Sequence, residues 1–122
     1  MRRFALILSL LALSVGGSAV AGVFKVPPIP RVPGQWSHVE INRQIGKRPH
    51  TLILDRGRIV QASASSITIR ELGSPVAIPL SPQTLVVIDG LAATPGDLQR
   101  KMTVVTMRID GGAAVRVRAS SF

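Results

Sequence analysis

The chain has no cysteine and no tyrosine, a single tryptophan, and only six acidic side chains against fifteen lysines and arginines. Each shortage removes a class of protein. Without cysteine there can be no disulfide, the usual reinforcement of a small exported domain, and no lipid attachment through a cysteine at a processing site. An enzyme needs ionisable groups that converge in a pocket, and here the only histidines are His38 and His50. No G-x-S-x-G elbow singles out a serine as a nucleophile. The sequence therefore reads as non-catalytic and requires no cofactor. Single-strand nucleic-acid binders stack bases on aromatic side chains, and beyond residue 21 the only aromatics are Phe24, Trp36 and Phe122. That scarcity argues against nucleic acid as a partner and equally against a carbohydrate-stacking face.

What the chain does have begins at its N-terminus. Arg2 and Arg3 precede the uncharged run FALILSLLALSV, and small residues follow up to Ala19-Val20-Ala21. A basic start, a short apolar segment and an A-x-A site are the parts of a secretory signal peptide. The alternative is an uncleaved membrane anchor, but a spanning helix needs about 20 mostly apolar residues, and Gly16, Gly17 and Ser18 dilute this one. The expected organisation is a signal peptide at 1–21, a proline-rich arm or spacer at 22–36 and one small domain at 37–122. Removal of Arg2 and Arg3 lowers the net charge from +9 to +7, with 13 basic residues facing 6 acidic ones. Arginine outnumbers lysine 12 to 3, a bias that a GC-rich genome also produces.

The arm, VFKVPPIPRVPGQW, holds prolines that lack a backbone donor and force their predecessors into extended conformations. It reads as a polyproline-like spacer and not as a packed element. From Ser37 onward short β-branched runs alternate with turn residues. HVEINRQI and HTLILD flank Gly46-Lys47-Arg48-Pro49 as a β-hairpin. Asp55-Arg56-Gly57 reads as a second turn or bulge. RIVQASA, SITIREL, VAIPL, TLVVID, MTVVTMRI and AAVRVRAS follow as strands, separated by Gly, Pro, Ser and Asp-Gly turns. In TPGDL, Thr94 is a helix cap, Pro95 the first helical position and Asp97 the capping-box acid, so one helical turn lays Leu98 over the end of the core.

Such strands must each bury a face, and the economical solution is an all-β, Greek-key-like or OB-like small barrel of six to eight short strands. Its expected core is Ile67, Ile69, Val76, Ile78, Leu80, Val86, Ile88, Val105, Met107, Ile109, Val115 and Val117. The order Gly57-x-Ile59, Ile67-Thr68-Ile69, Gly73, Thr84-x-Val86, Gly90, Asp97-Leu98 and Val104-Val105 resembles the bacterial secreted domain catalogued as "domain of unknown function 5666". The resemblance covers about Arg56 to Ala119 and implies a small exported β-barrel, with no active site to transfer. That family carries a glycine shortly after the Asp-Leu pair, where this chain has Arg100-Lys101.

Candidate sites are few. Asp55, Asp89 and Asp110 stand at or next to glycine, as turn-forming aspartates do. His38 and Glu40 share a strand face, and with His50 across the hairpin they would offer zinc two imidazoles and a carboxylate; ordinary exposed hairpin residues account for them better, so no metal is expected. Trp36 either tethers the arm or anchors a partner. In AVRVRAS, Arg116 and Arg118 leave one side of a strand. Arg108 across the Asp110-Gly111-Gly112 turn, and Arg70 on an adjacent strand, would extend them into a basic stripe. The expectation is a secreted or extracytoplasmic structural or interaction module, with a solvated basic face. The alternative is an electrostatic binder of acidic cell-wall polymer or an anionic membrane surface. The first expected outcome concerns processing: the intact mass of the exported protein matches Gly22–Phe122, and a membrane-bound species retaining residues 1–21 would establish the anchor instead.

Overall fold

A computed structural model of the protein describes residues 26–121. The expected signal peptide lies outside the described residues, as do the first four residues of the arm and Phe122. Strand β1 (His38–Ile45) turns through Gly46, whose φ is +64°, and returns as β2 (Arg48–Ala62). The expected break at Asp55-Arg56-Gly57 does not occur, and β2 runs unbroken for 15 residues. Gly57 is needed for a different reason: a Cβ there would lie 2.4 Å from the carbonyl oxygen of Arg70 on the neighbouring strand. The remaining strands are β3 (Ser66–Glu71), β4 (Ser74–Pro79), β5 (Leu85–Ile88), β6 (Leu91–Ala93), β7 (Thr103–Ile109) and β8 (Ala114–Ser120).

These strands form one sheet in the order β4-β3-β2-β7-β8-β5-β6, with β1 paired to β2 beyond the end of β3. All pairings are antiparallel except β5 with β8. The domain is all-β, as expected, with eight strands and one 3-10 turn. The barrel, however, is not closed, because β4 and β6 at the two ends do not pair with each other. Pro75 and Pro79 remove two donors from β4, and β6 has only three residues, so neither end offers the other a ladder. Among the described residues no helix is long and apolar enough to cross a membrane.

Both faces of the sheet carry a core. The inner face gathers Ile59, Ile67, Ile69, Ile78, Leu80, Val86, Leu98, Met102, Val104 and Val117. The 3-10 turn at Pro95–Asp97 delivers Leu98 there as expected, with the Asp97 carboxylate accepting from the Thr94 N–H at 2.9 Å. The opposite face buries Leu52, Leu54 and Met107 beneath Val26, Ile29, Val32 and Trp36 of the arm. Met107, Ile109 and Val115, expected in the barrel interior, belong to this second core.

The arm is thus a packed strap and not a spacer. Its prolines leave it short of N–H donors, so it cannot join the sheet as a strand. Side chains supply the missing donors instead. Arg116 donates through Nε to the Pro27 carbonyl (2.7 Å) and through Nη2 to that of Val26 (2.9 Å). Arg56 Nε donates to the Trp36 carbonyl at 2.8 Å. Trp36 in turn donates from its indole to the Val32 carbonyl at 3.1 Å, with the Arg56 guanidinium 4.4 Å over its ring.

Two backbone positions yield opposite expectations. Gly57→Ala drives a methyl into a backbone oxygen that cannot step aside, so stability falls by about 2 kcal/mol and Tm by on the order of 10 °C. Lys101 adopts a left-handed φ of 77° that costs a side-chain-bearing residue about 1 kcal/mol. Lys101→Gly therefore raises stability, by about 0.5 kcal/mol after the greater chain entropy of glycine is subtracted. Thermal melts of the two variants beside the native chain check both signs.

Candidate functional site

Turn geometry assembles a polar cluster at one end of the inner core. The tight turn after Ile45 pairs that residue with Arg48 and hence His38 with Asp55. On the other side of β2, Asp55 is opposite Thr106 and Ile53 opposite Arg108. Strand β3 continues the inner face past Ile69 to Glu71. Asp55 is only 1% exposed and Glu71 8%, so two carboxylates lie buried where the apolar core ends. His38 Nδ1 is 2.7 Å from Asp55 Oδ1, and its Nε2 is 3.0 Å from Glu40 Oε2. Arg108 Nη2 stands 3.6 Å from Asp55 Oδ2, too far for a good hydrogen bond but close enough to compensate charge.

Charge is incompletely matched here. Burial, and then the adjacent Asp55 carboxylate, pushes the Glu71 carboxyl up to about 7. The hydrogen bonds to Asp55 and then Glu40 hold the His38 imidazolium above its ordinary range. His38, Asp55 and Glu71 each bring one potential ligand atom within 4.8 Å of the others.

Several sequence-based assignments need correction against this geometry. Asp55 is no turn residue; it sits in mid-strand. Asp89 and Asp110 do occupy turns, with φ of 52° and 55°. His50 is not near His38: it pairs across from Arg43, and its Nδ1 lies 2.5 Å from Asp110. The four-arginine stripe does not form. Arg108 is on the inner face against Asp55. Arg116 is consumed by the arm carbonyls, and Arg70 and Arg118 remain exposed on the arm face. Trp36 is half-buried and tethers the arm.

A different basic surface takes the place of the stripe. Register places Arg56 beside Val105 and Val105 beside Arg118, a row across β2, β7 and β8. Arg58 is opposite Arg70 on β3. Arg31 from the arm joins Arg56 and Arg118 around a cleft of about 410 Å³ floored by Val105 and walled by Ile29, Val32 and Trp36. Among the described residues, Arg108 is the one arginine or lysine with a carboxylate within 4.0 Å. Sequence reasoning missed Arg56 and Arg58 because the expected break at residues 55–57 hid their common face, and Arg31 because the arm was read as an unpacked spacer. Compared with known proteins, the chain matches no family model, no curated protein and no solved structure.

The titrating groups set an expected pH profile. Glu71 binds its proton more tightly folded (about 7) than at its ordinary 4.5, so stability falls as pH rises between those values. His38, raised above 6.5, contributes stability that is present below that pH and is lost as pH rises through its folded value. Asp89, Asp97 and Asp110 are held below 3.8, chiefly by hydrogen bonds from Ser121, Thr94 and Thr51 respectively. Their contribution is lost only as pH falls through those depressed values. In metal-free buffer Tm therefore peaks near about pH 5 and declines toward pH 8. Glu71→Gln flattens the decline and raises stability by about 2 kcal/mol at pH 8, solvent at the His38 edge screening part of the full effect. Melts across that range are the check; a native Tm that rises from pH 5 to pH 8 contradicts this profile.

Proposed function

We propose that the domain is a non-catalytic interaction module of the cell envelope that holds an acidic wall polymer electrostatically along its arm face. The observation that carries this reading is the set Arg31, Arg58, Arg70 and Arg118, gathered on that face around Arg56, with no carboxylate within 4.0 Å of any of them among the described residues. Neighbouring strands are about 4.8 Å apart and alternate residues of one strand about 6.7 Å. The guanidiniums therefore recur at intervals that suit a chain bearing regularly spaced phosphates or carboxylates. Arginine's planar fork engages either group through two hydrogen bonds. The cleft between arm and sheet gives an extended polymer a place to lie, which a flat membrane surface would not use. Export through the N-terminal signal and the resemblance to an exported β-domain are consistent with an envelope location.

The test compares sedimentation with purified polyanionic wall polymer and with anionic vesicles, for the native protein and for Arg58→Glu/Arg118→Glu. Both residues are exposed, so the double variant should fold. The native protein binds the polymer at low salt and loses it as ionic strength passes 0.1 M, where screening acts over about 10 Å; the variant binds at least about tenfold more weakly. Equal binding by the two proteins, or binding to vesicles alone, would overturn this reading.

A further inference from the structure

With its three carboxyls ionised, the inner-face cluster is short of positive charge. Asp55 Oδ2 and Glu71 Oε2 are both buried, and neither has a hydrogen-bond partner among the described residues. Removing a carboxylate oxygen from water is costly unless a donor or a cation replaces the water. Glu40, Asp55 and Glu71 carry three negative charges when ionised; Arg108 and a protonated His38 supply two positive charges, and Arg108 alone remains once His38 is neutral and free to face a metal. A divalent cation would close that balance.

We propose that His38, Asp55 and Glu71 form a zinc site, with Nδ1 of His38 and one oxygen from each carboxylate as ligands. Their candidate ligand atoms already lie within 4.8 Å of one another. Donors about 2.0–2.2 Å from a tetrahedral zinc are on the order of 3.3 Å apart. The carboxylates therefore close in slightly, while the 2.7 Å between His38 Nδ1 and Asp55 Oδ1 opens. His38 is 44% exposed and free to make that adjustment.

The surroundings support zinc in two further ways. Glu40 Oε2 faces the other ring nitrogen of His38 at 3.0 Å. With the proton on Nε2, Glu40 accepts from it and Nδ1 is left as the metal-facing donor, the carboxylate–histidine arrangement that orients zinc ligands. A set of one imidazole and two carboxylates without thiolate suits zinc better than softer ions such as copper(I). Three protein ligands leave the fourth position to water, on the side where His38 meets solvent.

Titration of the metal-free full chain with Co²⁺, followed by displacement with Zn²⁺, tests the site. The expected result is one equivalent bound, with visible absorption bands of a four- or five-coordinate cobalt that Zn²⁺ abolishes. His38→Ala, at an exposed position, keeps the native circular dichroism and loses the bands. Glu40→Gln weakens Zn²⁺ binding about 10- to 100-fold while retaining the bands. Glu71→Gln weakens Zn²⁺ binding although it stabilises the metal-free fold, an opposition that a purely structural role for Glu71 does not produce. His50→Ala, at the far end of the hairpin, leaves binding unchanged. Absence of a stoichiometric cobalt spectrum in the native chain, or an unchanged spectrum in His38→Ala, would overturn the proposal.

Discussion

Strand β2 is hydrogen-bonded to β1 and β3 along one edge and to β7 along the other, and its side chains alternate between two covered faces. Leu52 and Leu54 go beneath the arm, whereas Asp55 and Ile59 go to the inner face. Because side chains reverse with every residue, a slip of one position would put Asp55 under the arm and Leu54 into the polar cluster. The register of β2 therefore fixes both cores and the inner cluster together. Gly57 pins that register, since its α-carbon is where β2 and β3 approach too closely for any side chain.

The second constraint follows from proline. A strap with few N–H groups can cover an apolar face, but its carbonyls still need donors. Arg116 and Arg56 provide them from the sheet below. Part of the chain's large positive charge is thus internal scaffolding. Net charge alone could not separate these arginines from Arg58, Arg70 and Arg118, which are exposed on the arm face.

How much of this was legible in the sequence depends on which contacts are local. The existence of the β1–β2 hairpin was legible, but its turn takes two residues, Gly46-Lys47, where four were expected, and that difference pairs Ile45 with Arg48 and brings His38 opposite Asp55. The capped turn at Thr94 and the burial of Leu98 were legible because they too are local. The basic stripe failed through one residue. A symmetric turn at Asp110-Gly111-Gly112 pairs Arg108 with Ala114 and would align Arg108 with Arg116 and Arg118. The register shift between Met107 and Arg108 places Arg116 opposite Met107 instead, and a bulge of this kind sends everything beyond it to the other face. Glu71 was not legible as a site residue, because its neighbour Asp55 lies 16 positions earlier and on another strand. The arm's packing was hidden too, since composition reports that a proline segment cannot pair but not what it can cover.

The sheet consequently sorts charge by face. Glu40, Asp55 and Glu71 collect on the inner face with His38 and Arg108, while Arg56, Arg58, Arg70 and Arg118 are on the arm face. Arg56 is covalently adjacent to Asp55, so a cation held by the acids and a polyanion held by the arginines would be neighbours across one layer of backbone. Their mutual influence is nonetheless bounded. Two unit charges about 10 Å apart interact by about 0.4 kcal/mol in water and by under about 2 kcal/mol at an effective dielectric of 20, and salt reduces this further. A metal on the inner face would modestly strengthen polyanion binding on the other, and by linkage the polyanion would strengthen metal binding to the same degree. Neither interaction requires the other: among the described residues the arm-face arginines lack carboxylate partners whatever occupies the inner cluster, and the oxygens of Asp55 and Glu71 that have no partner there are buried whatever lies along the arm.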